Sequence, residues 1–372
     1  MKDSDRDYRY MALALRLAAK GQGRTSPNPM VGAVVVAGNR IVGQGYHRRA
    51  GGPHAEVIAL RAAGPRSKRA TLYVTLEPCC HTNKRTPPCV PLVAAAGLRR
   101  VVVAMADPNP NVGGRGIRAL RRAGLDLSVG CLRHEAERLN EAYRHWVRTG
   151  LPFVTLKAAM TMDGKIATAG GESQWITGEP ARRYAHRLRS RMDAILVGAG
   201  TVRRDDPRLT VRLGRGAAAA TPARQPLRII LDSRLRIPLK ARVLGPGTVI
   251  ATTAHTPTGR IKQVQAKGAQ VLLLPARNGR VSLRACLAEL GKQGVTSVLI
   301  EGGSEVNASA LRAGLVNRVA LFIAPTLLGS QDAKGLIGGQ SPRRLAQALP
   351  LNDIRIQPLG RDFLLEGTLS PK

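Results

Sequence analysis

Aromatic side chains are scarce in this chain, 3% of 372 residues. That scarcity removes most of the stacking platforms on which single-stranded bases are held. Acidic residues are few as well: 24 Asp and Glu stand against 58 Lys and Arg, a formal net charge of +34. A field of that sign attracts polyanions without sequence preference. The arginines are scattered over the whole chain, however, so the composition speaks against a nucleic-acid partner and suits phosphorylated small molecules. No apolar run approaches the roughly 20 residues of a membrane span, and charges interrupt the opening MKDSDRDYRY, which therefore lacks the core of a secretory signal. The expectation is a cytoplasmic protein with no membrane partner.

Cysteines number only five, Cys79, Cys80, Cys89, Cys131 and Cys286. The first three crowd together beside His and Pro, which argues for metal binding in a reducing compartment and against a disulfide framework. Cys131 and Cys286 are expected to be buried hydrophobes. Also missing is a G-x-G-x-x-G placed after a strand, so no Rossmann fingerprint supports nicotinamide binding.

What is present is enough chain for two domains of about 150 residues or more each. Tyr8, Met11, Leu15 and Ala18 recur at helical spacing and predict an amphipathic first helix ending at Gly21 or Gly23. Val31 to Val36 and Ile41 to Tyr46 read as a hairpin. Helices follow from about His54, from near Cys89, over 116–123 and over 135–146, with strands at 72–76, 101–104 and 125–129. This order predicts an α/β domain with a mixed sheet over residues 1–149 and, past Thr149-Gly150, a second α/β domain over 150–372. In the second, strands are expected at 153–157, 194–197, 227–231, 248–251, 270–274, 297–301 and 318–323, and helices at 180–191, 283–291 and 304–313. Gly214 to Ala223, rich in Ala and Gly, reads as an exposed loop.

A catalytic zinc takes three protein ligands and leaves a fourth position for water, whose pKa falls to about 7. His54-Ala55-Glu56 lies at a predicted helix start, Glu77-Pro78-Cys79 at a predicted strand end, and Cys89 at another helix start. Residues two apart do not share a helical face, so His54 and Glu56 can address one site only from the helix end. A helix N-terminus also favours a thiolate at Cys89. The three elements are expected to converge at one edge of the sheet, with His54, Cys79 and Cys89 as ligands and Glu56 as proton shuttle. A closed structural site, completed by Cys80 or His81, is the competing reading.

This pattern resembles the cytidine-deaminase-like zinc deaminases, in which H-x-E is followed by P-C and a second cysteine and the Glu is an acid/base. Arg85-Thr86-Pro87-Pro88-Cys89, Ser26-Pro27-Asn28-Pro29 ahead of Val31-Gly32, and Asp107-Pro108-Asn109-Pro110 ahead of Gly114-Arg115-Gly116 narrow the resemblance to the RibD family of bifunctional riboflavin-biosynthesis enzymes. That family usually places eight residues between the two cysteines, whereas Cys79 and Cys89 enclose nine. The loop count would select Cys80; the Glu-Pro-Cys strand end favours Cys79.

In the second half LKAAMTMDG (156–164), Glu172 to Gly178, Val197 to Thr201 and Asp205 to Arg212 are similar to the reductase half of the same family. The turn Glu301-Gly302-Gly303-Ser304, between a strand and a helix, also suits a phosphate by its backbone N–H groups and the helix dipole. The resemblance implies a cytidine-deaminase-like three-layer domain with a mixed sheet, followed by a dihydrofolate-reductase-like α/β domain. It implies zinc and NADPH as cofactors. NADPH would be lined by Ala159, Trp175, Thr201, Asp205 and the turn Gly303, Ser304, Glu305, Val306, Asn307, Ala308 and Ser309. Substrate would be held by Ser173, Arg189, Leu209, Arg212 and Glu301, the guanidinium forks suiting phosphate. For Trp175, a core or interface aromatic is the competing reading.

The implied activity is hydrolytic deamination of 2,5-diamino-6-(5-phosphoribosylamino)pyrimidin-4(3H)-one, then NADPH-dependent reduction of the ribosyl chain of 5-amino-6-(5-phosphoribosylamino)uracil to ribityl, in a homo-oligomer. Two alternatives stay open on sequence: an RNA or tRNA deaminase fused to a basic binding domain, and a non-catalytic zinc protein used for assembly.

Overall fold

The computed structural model describes residues 3–82, 86–213 and 225–370, and the chain divides into two compact units, Met1–Gly150 and Leu151–Lys372. The expected Gly214 to Ala223 loop lies outside the described residues.

The first unit opens with α1 (Asp3–Ala19), then the hairpin β1 (Gly32–Ala37) and β2 (Arg40–Tyr46). There follow α2 (Ala55–Ala63), β3 (Thr71–Val74), α3 (Cys89–Ala95), β4 (Arg100–Val103), α4 (Arg115–Arg122), β5 (Asp126–Val129), α5 (Arg133–Leu139) and α6 (Glu141–Thr149). The sheet runs β2-β1-β3-β4-β5, antiparallel around β1 and parallel from β3 to β5. Two glycines place helices on opposite faces of it. A Cβ on Gly32 would meet the Ala14 carbonyl of α1 at 2.0 Å, and one on Gly43, which pairs with Val35, would meet the Ala59 carbonyl of α2 at 2.1 Å. Since neighbouring residues of a strand face opposite ways, the unit has three layers around the buried Val34, Val35, Leu72, Tyr73 and Val102.

Three expectations need correction here. The inward face of α1 carries Asp7, Tyr10, Met11, Ala14 and Ala18, while Tyr8 is 60% exposed. Asp7 tolerates this position because Arg100 reaches both of its oxygens at 3.1 and 2.8 Å and the Tyr73 hydroxyl donates at 2.9 Å. The single helix expected over 135–146 is two, broken at Asn140, whose side chain is committed to a distant loop. Cys131 is half-buried against the core, not fully buried as Cys286 is.

In the second unit the strands are β6 (Phe153–Thr161), β7 (Lys165–Ala167), β8 (Ala194–Gly198), β9 (Leu227–Leu231), β10 (Thr248–Thr252), β11 (Gln270–Leu273), β12 (Ala276–Arg277), β13 (Arg280–Val281), β14 (Ser297–Ile300), β15 (Arg318–Ala324), β16 (Lys334–Gly335), β17 (Leu351–Leu359) and β18 (Asp362–Leu369). The helices are α7 (Glu179–Arg189), α8 (Ala199–Asp205), α9 (Thr258–Gln265), α10 (Leu283–Lys292) and α11 (Ser304–Arg312). Nine strands form one sheet in the order β11-β10-β9-β8-β14-β6-β15-β18-β17, parallel as far as β15. The last two strands are antiparallel. Alternate residues of β8 feed separate cores, Ala194 and Leu196 toward α10 and α11, Ile195 and Val197 toward α7 and α9. Both faces are therefore covered, as a parallel sheet requires. The C-terminal hairpin was not expected as strands; β17 is exposed along most of its length, and its short Ile354-Arg355-Ile356 alternation runs into Pro358. Among the described residues no helix is long and apolar enough to cross a membrane.

Candidate metal centre and reductase site

β3 sits in the middle of its sheet, and the chain leaving it carries Glu77, Pro78 and Cys79. The convergence point is thus the end of a central strand, not a sheet edge. Glu77 is buried, and its carboxylate accepts four backbone N–H groups, from Asp107, Gly114, Gly116 and Ile117, at 2.8 to 3.1 Å. It caps the start of α4, where an anion also complements the helix dipole. The Cys79 carbonyl accepts from the N–H groups of Cys89 and Val90 at 3.0 and 3.2 Å, which ties the strand end to the start of α3.

His54 is the N-cap residue of α2 with extended backbone. Its Nδ1 lies 3.2 Å from Cys89 Sγ and 3.4 Å from Cys79 Sγ. The ligand atoms of His54, Cys79 and Cys89 all fall within 4.8 Å of one another, and among the described residues they alone form such a group. Cys80 stands outside it. One imidazole and two thiols suit zinc, and three protein donors leave a fourth position open, as catalytic sites do. Glu56, 3% exposed, lies beside them. Burial, and then the Cys79 sulfur, push its carboxyl above the usual carboxylate range, while it hydrogen-bonds Cys89. The Cys89 thiol is itself pushed far up by its hydrogen bond to Cys79, by burial and by Glu56. A divalent cation supplies the charge that lets such thiols ionise.

Around this cluster the sequence motifs meet. The His47 ring stands edge-on to that of His54 with centroids 5.3 Å apart. His47 Nδ1 donates to the Pro53 carbonyl and Nε2 accepts from Asn28, both at 3.1 Å; burial lowers its pKa. Asn28 belongs to the 26–30 loop, whose Met30 backbone is held by Asn140. Asp107, just ahead of the second Pro-Asn-Pro motif, accepts from the Tyr143 hydroxyl of α6 at 3.0 Å, and burial lifts its pKa to about 6.

In the second unit the carboxyl ends of β8 and β14 lie side by side, the usual ligand position in a parallel sheet. A Cβ on Gly302 would stand 3.0 Å from Thr201 Oγ1 and 3.1 Å from Val197, so glycine lets the two turns approach without displacing these side chains. Glu301 is gripped by both arms of the Arg189 fork at 2.6 Å. Burial raises its pKa, but the Arg189 charge outweighs this and holds the carboxyl below the usual range. Arg189 also donates to the Thr210 carbonyl at 3.2 Å, beside the buried Leu209. The Arg212 N–H donates to His186 at 3.2 Å. Ser173 lies beside Asp205, whose carboxyl pKa is raised by burial. Ala159 lies on β6 opposite Phe322.

Some of the expected lining points elsewhere. In α11, Glu305 pairs with Arg280 at 2.9 Å. Asn307, whose amide donates to the Leu336 carbonyl, and Ala308 are buried, and Val306 packs against Gly198. Ser309 is exposed. Gly303, with φ of 66°, and Ser304 are left at the helix start. Trp175 is not a core residue: it is 68% exposed, with the Arg182 guanidinium 4.8 Å over its ring. Sequence reasoning did not single out Lys157, which lies near the Arg189–Glu301 pair. Burial lowers its pKa, Glu301 opposes this, and its Nζ sits 5.5 Å over the Phe322 ring. It missed His186, Asn140 and Tyr143 too, because their partners lie 26 to 110 residues away and leave no local spacing signal.

Fold and sites together define a two-unit enzyme, a zinc-dependent deaminase joined to an α/β reductase. Residues 4–105 match the cytidine and deoxycytidylate deaminase zinc-binding region, and residues 152–365 match the RibD C-terminal domain. The riboflavin biosynthesis protein RibD of Escherichia coli K12 is 45% identical over 96% of this chain and 98% of its own length. That of Actinobacillus pleuropneumoniae is 44% identical over 97% and 94%. Among solved structures, Acinetobacter baumannii RibD, form 1, superposes with a TM-score of 0.90 at 37% identity, covering 99% of this chain and all of that one (100%). The Thermotoga maritima diaminohydroxyphosphoribosylaminopyrimidine deaminase/5-amino-6-(5-phosphoribosylamino)uracil reductase gives 0.85 at 34%, with 99% of each chain covered. The chain belongs to the RibD family, whose members are bifunctional deaminase and reductase enzymes of riboflavin biosynthesis using zinc and NADPH.

Proposed function

We propose that His54, Cys79 and Cys89 hold the zinc ion and that Glu56 carries the proton of the deamination. The reading rests above all on the convergence of one imidazole and two thiols beside a buried carboxyl. Zinc in this donor set supplies a Lewis acid that activates water. Glu56, buried and with a raised pKa, takes a proton from the attacking water and returns it to the departing amine, releasing ammonia. The substrate is the diaminopyrimidine bearing a phosphoribosylamino group, and His47 and Asn28 wall the site next to His54.

In the second unit NADPH takes the crevice at the ends of β8 and β14, with Thr201, Gly303 and Ser304 nearest its phosphates and Ala159, Trp175 and Asp205 along its length. The hydride is the cofactor's; the protein positions it. The phosphoribosyl chain lies against Ser173, Leu209, Arg212, Lys157 and the Arg189–Glu301 pair. Because the Arg189 fork is taken up by Glu301, Arg212, crowded by the charges of Arg189, Arg208 and Arg242, is the cation for the phosphate. The functional domains are taken as 1–149 and 150–372, one residue from the division between the compact units. The protein works in the cytoplasm, without nucleic acid. It forms a homo-oligomer, supported by the end strand β17, which leaves Ile354 56% and Ile356 64% exposed.

Purified protein given the diaminopyrimidine phosphate is expected to release ammonia and then, with NADPH added, to consume it. Glu56→Gln abolishes the first step and leaves the second intact when the uracil product is supplied. Ammonia release by that variant at the wild-type rate would refute the assignment.

A further inference from the structure

The imidazole of His54 has two nitrogens, and each faces a defined partner. Nδ1 looks onto the Cys89 and Cys79 sulfurs at 3.2 and 3.4 Å, while Nε2 lies 3.0 Å from Thr86 Oγ1. A nitrogen that ligates a metal does so through its lone pair, so the ring hydrogen of a ligating neutral histidine sits on the other nitrogen. That N–H needs an acceptor, and the Thr86 hydroxyl oxygen stands where one is required. Such partners orient the ring and strengthen metal binding.

The local sequence explains how the hydroxyl is delivered. Between Thr86 and Cys89 lie Pro87 and Pro88, and Pro88 has φ −64° and ψ 146°. Proline fixes its own φ and drives the preceding residue into the extended region. Thr86 and Cys89, which begins α3, therefore ride on one stiff stretch. A single segment supplies both a sulfur to the cluster and a hydroxyl to the far side of the histidine. None of the predicted ligand roles accounts for Thr86.

We infer that Thr86 is a positioning residue for the metal centre: its hydroxyl accepts from His54 Nε2–H and sets the ring so that Nδ1 meets the ion held with Cys79 and Cys89. This rests on the reading of His54 as a ligand. The test uses the full chain as wild type, Thr86→Val, which keeps the volume and loses the hydroxyl, Thr86→Ser, which does the reverse, and His54→Ala. Each is loaded with zinc, and transfer of zinc to a chromogenic chelator is timed; cobalt-loaded samples give the visible spectrum of the ligand field. The Val variant is expected to release zinc roughly 10- to 100-fold faster, the usual effect of losing such a partner, with a shifted cobalt spectrum. The Ser variant keeps the wild-type rate, and NADPH oxidation is the same in both. Wild-type zinc release by Thr86→Val, or loss of zinc by Thr86→Ser with retention by Thr86→Val, would overturn the inference. Stoichiometric zinc in His54→Ala would instead overturn the ligand assignment beneath it.

Discussion

Asn140 grips the backbone of Met30 from both sides, accepting from its N–H through Oδ1 at 2.8 Å and donating to its carbonyl through Nδ2 at 3.0 Å. Asn140 is 1% exposed, so its own amide has no water as a substitute for these bonds. Asn140→Ala is expected to cost about 1–3 kcal/mol, the penalty for buried groups left unsatisfied, read as a fall in the unfolding midpoint of the first unit. The 26–30 loop carries Asn28 to His47, so KM for the diaminopyrimidine rises in the same variant while reductase kinetics stay unchanged.

The one-residue surplus between the cysteines makes Cys79 and Cys80 distinguishable by zinc content. Cys79 joins the ligand group and Cys80 does not. Metal analysis should therefore find Cys79→Ser depleted of zinc and without ammonia release, and Cys80→Ser stoichiometrically loaded.

Arg189 and Glu301 form an ion pair whose side chains are 15% and 4% exposed. Removing one partner of such a pair leaves an uncompensated charge at a cost of about 3–5 kcal/mol. Glu301→Gln should thus lower the denaturation midpoint of the reductase unit. The double variant Arg189→Met with Glu301→Leu should recover most of that stability, since apolar side chains of similar volume often replace a buried pair without loss. It should not recover NADPH oxidation.

His186 supplies a pH dependence of definite sign. Burial and the neighbouring Arg189 and Arg212 charges lower its pKa to about 4, against about 6.5 in an unfolded chain. Between those values the unfolded state takes up a proton that the folded state refuses, so stability falls as pH drops through the window. Thermal unfolding of the second unit from about pH 7 to about pH 4 should show that fall, and His186→Gln should flatten it.

Much of this was legible in the chain. Continuous apolar runs located the parallel strands of both units, because strands buried on both faces must be apolar throughout. The clustered His54, Cys79 and Cys89 were legible because zinc chemistry restricts the donor types and the H-x-E and P-C spacings bring each to the end of an element. Elements that bury little gave a weaker signal: β17 is exposed, and the break at Asn140 coincides with a bond to Met30, 110 residues away.

By itself, then, the order of residues determined the donor set, the two-unit α/β plan and the family. These depend on local periodicity and on side-chain chemistry that any fold would have to respect. Only the tertiary structure decided that Cys79 rather than Cys80 faces His54. Only it decided that Glu77 gathers the 107–117 loop, and that the Arg189 fork is spent on Glu301. In each case the deciding contact joins groups 25 to 112 residues apart, and a burial that makes it obligatory exists only once the sheets have closed over it.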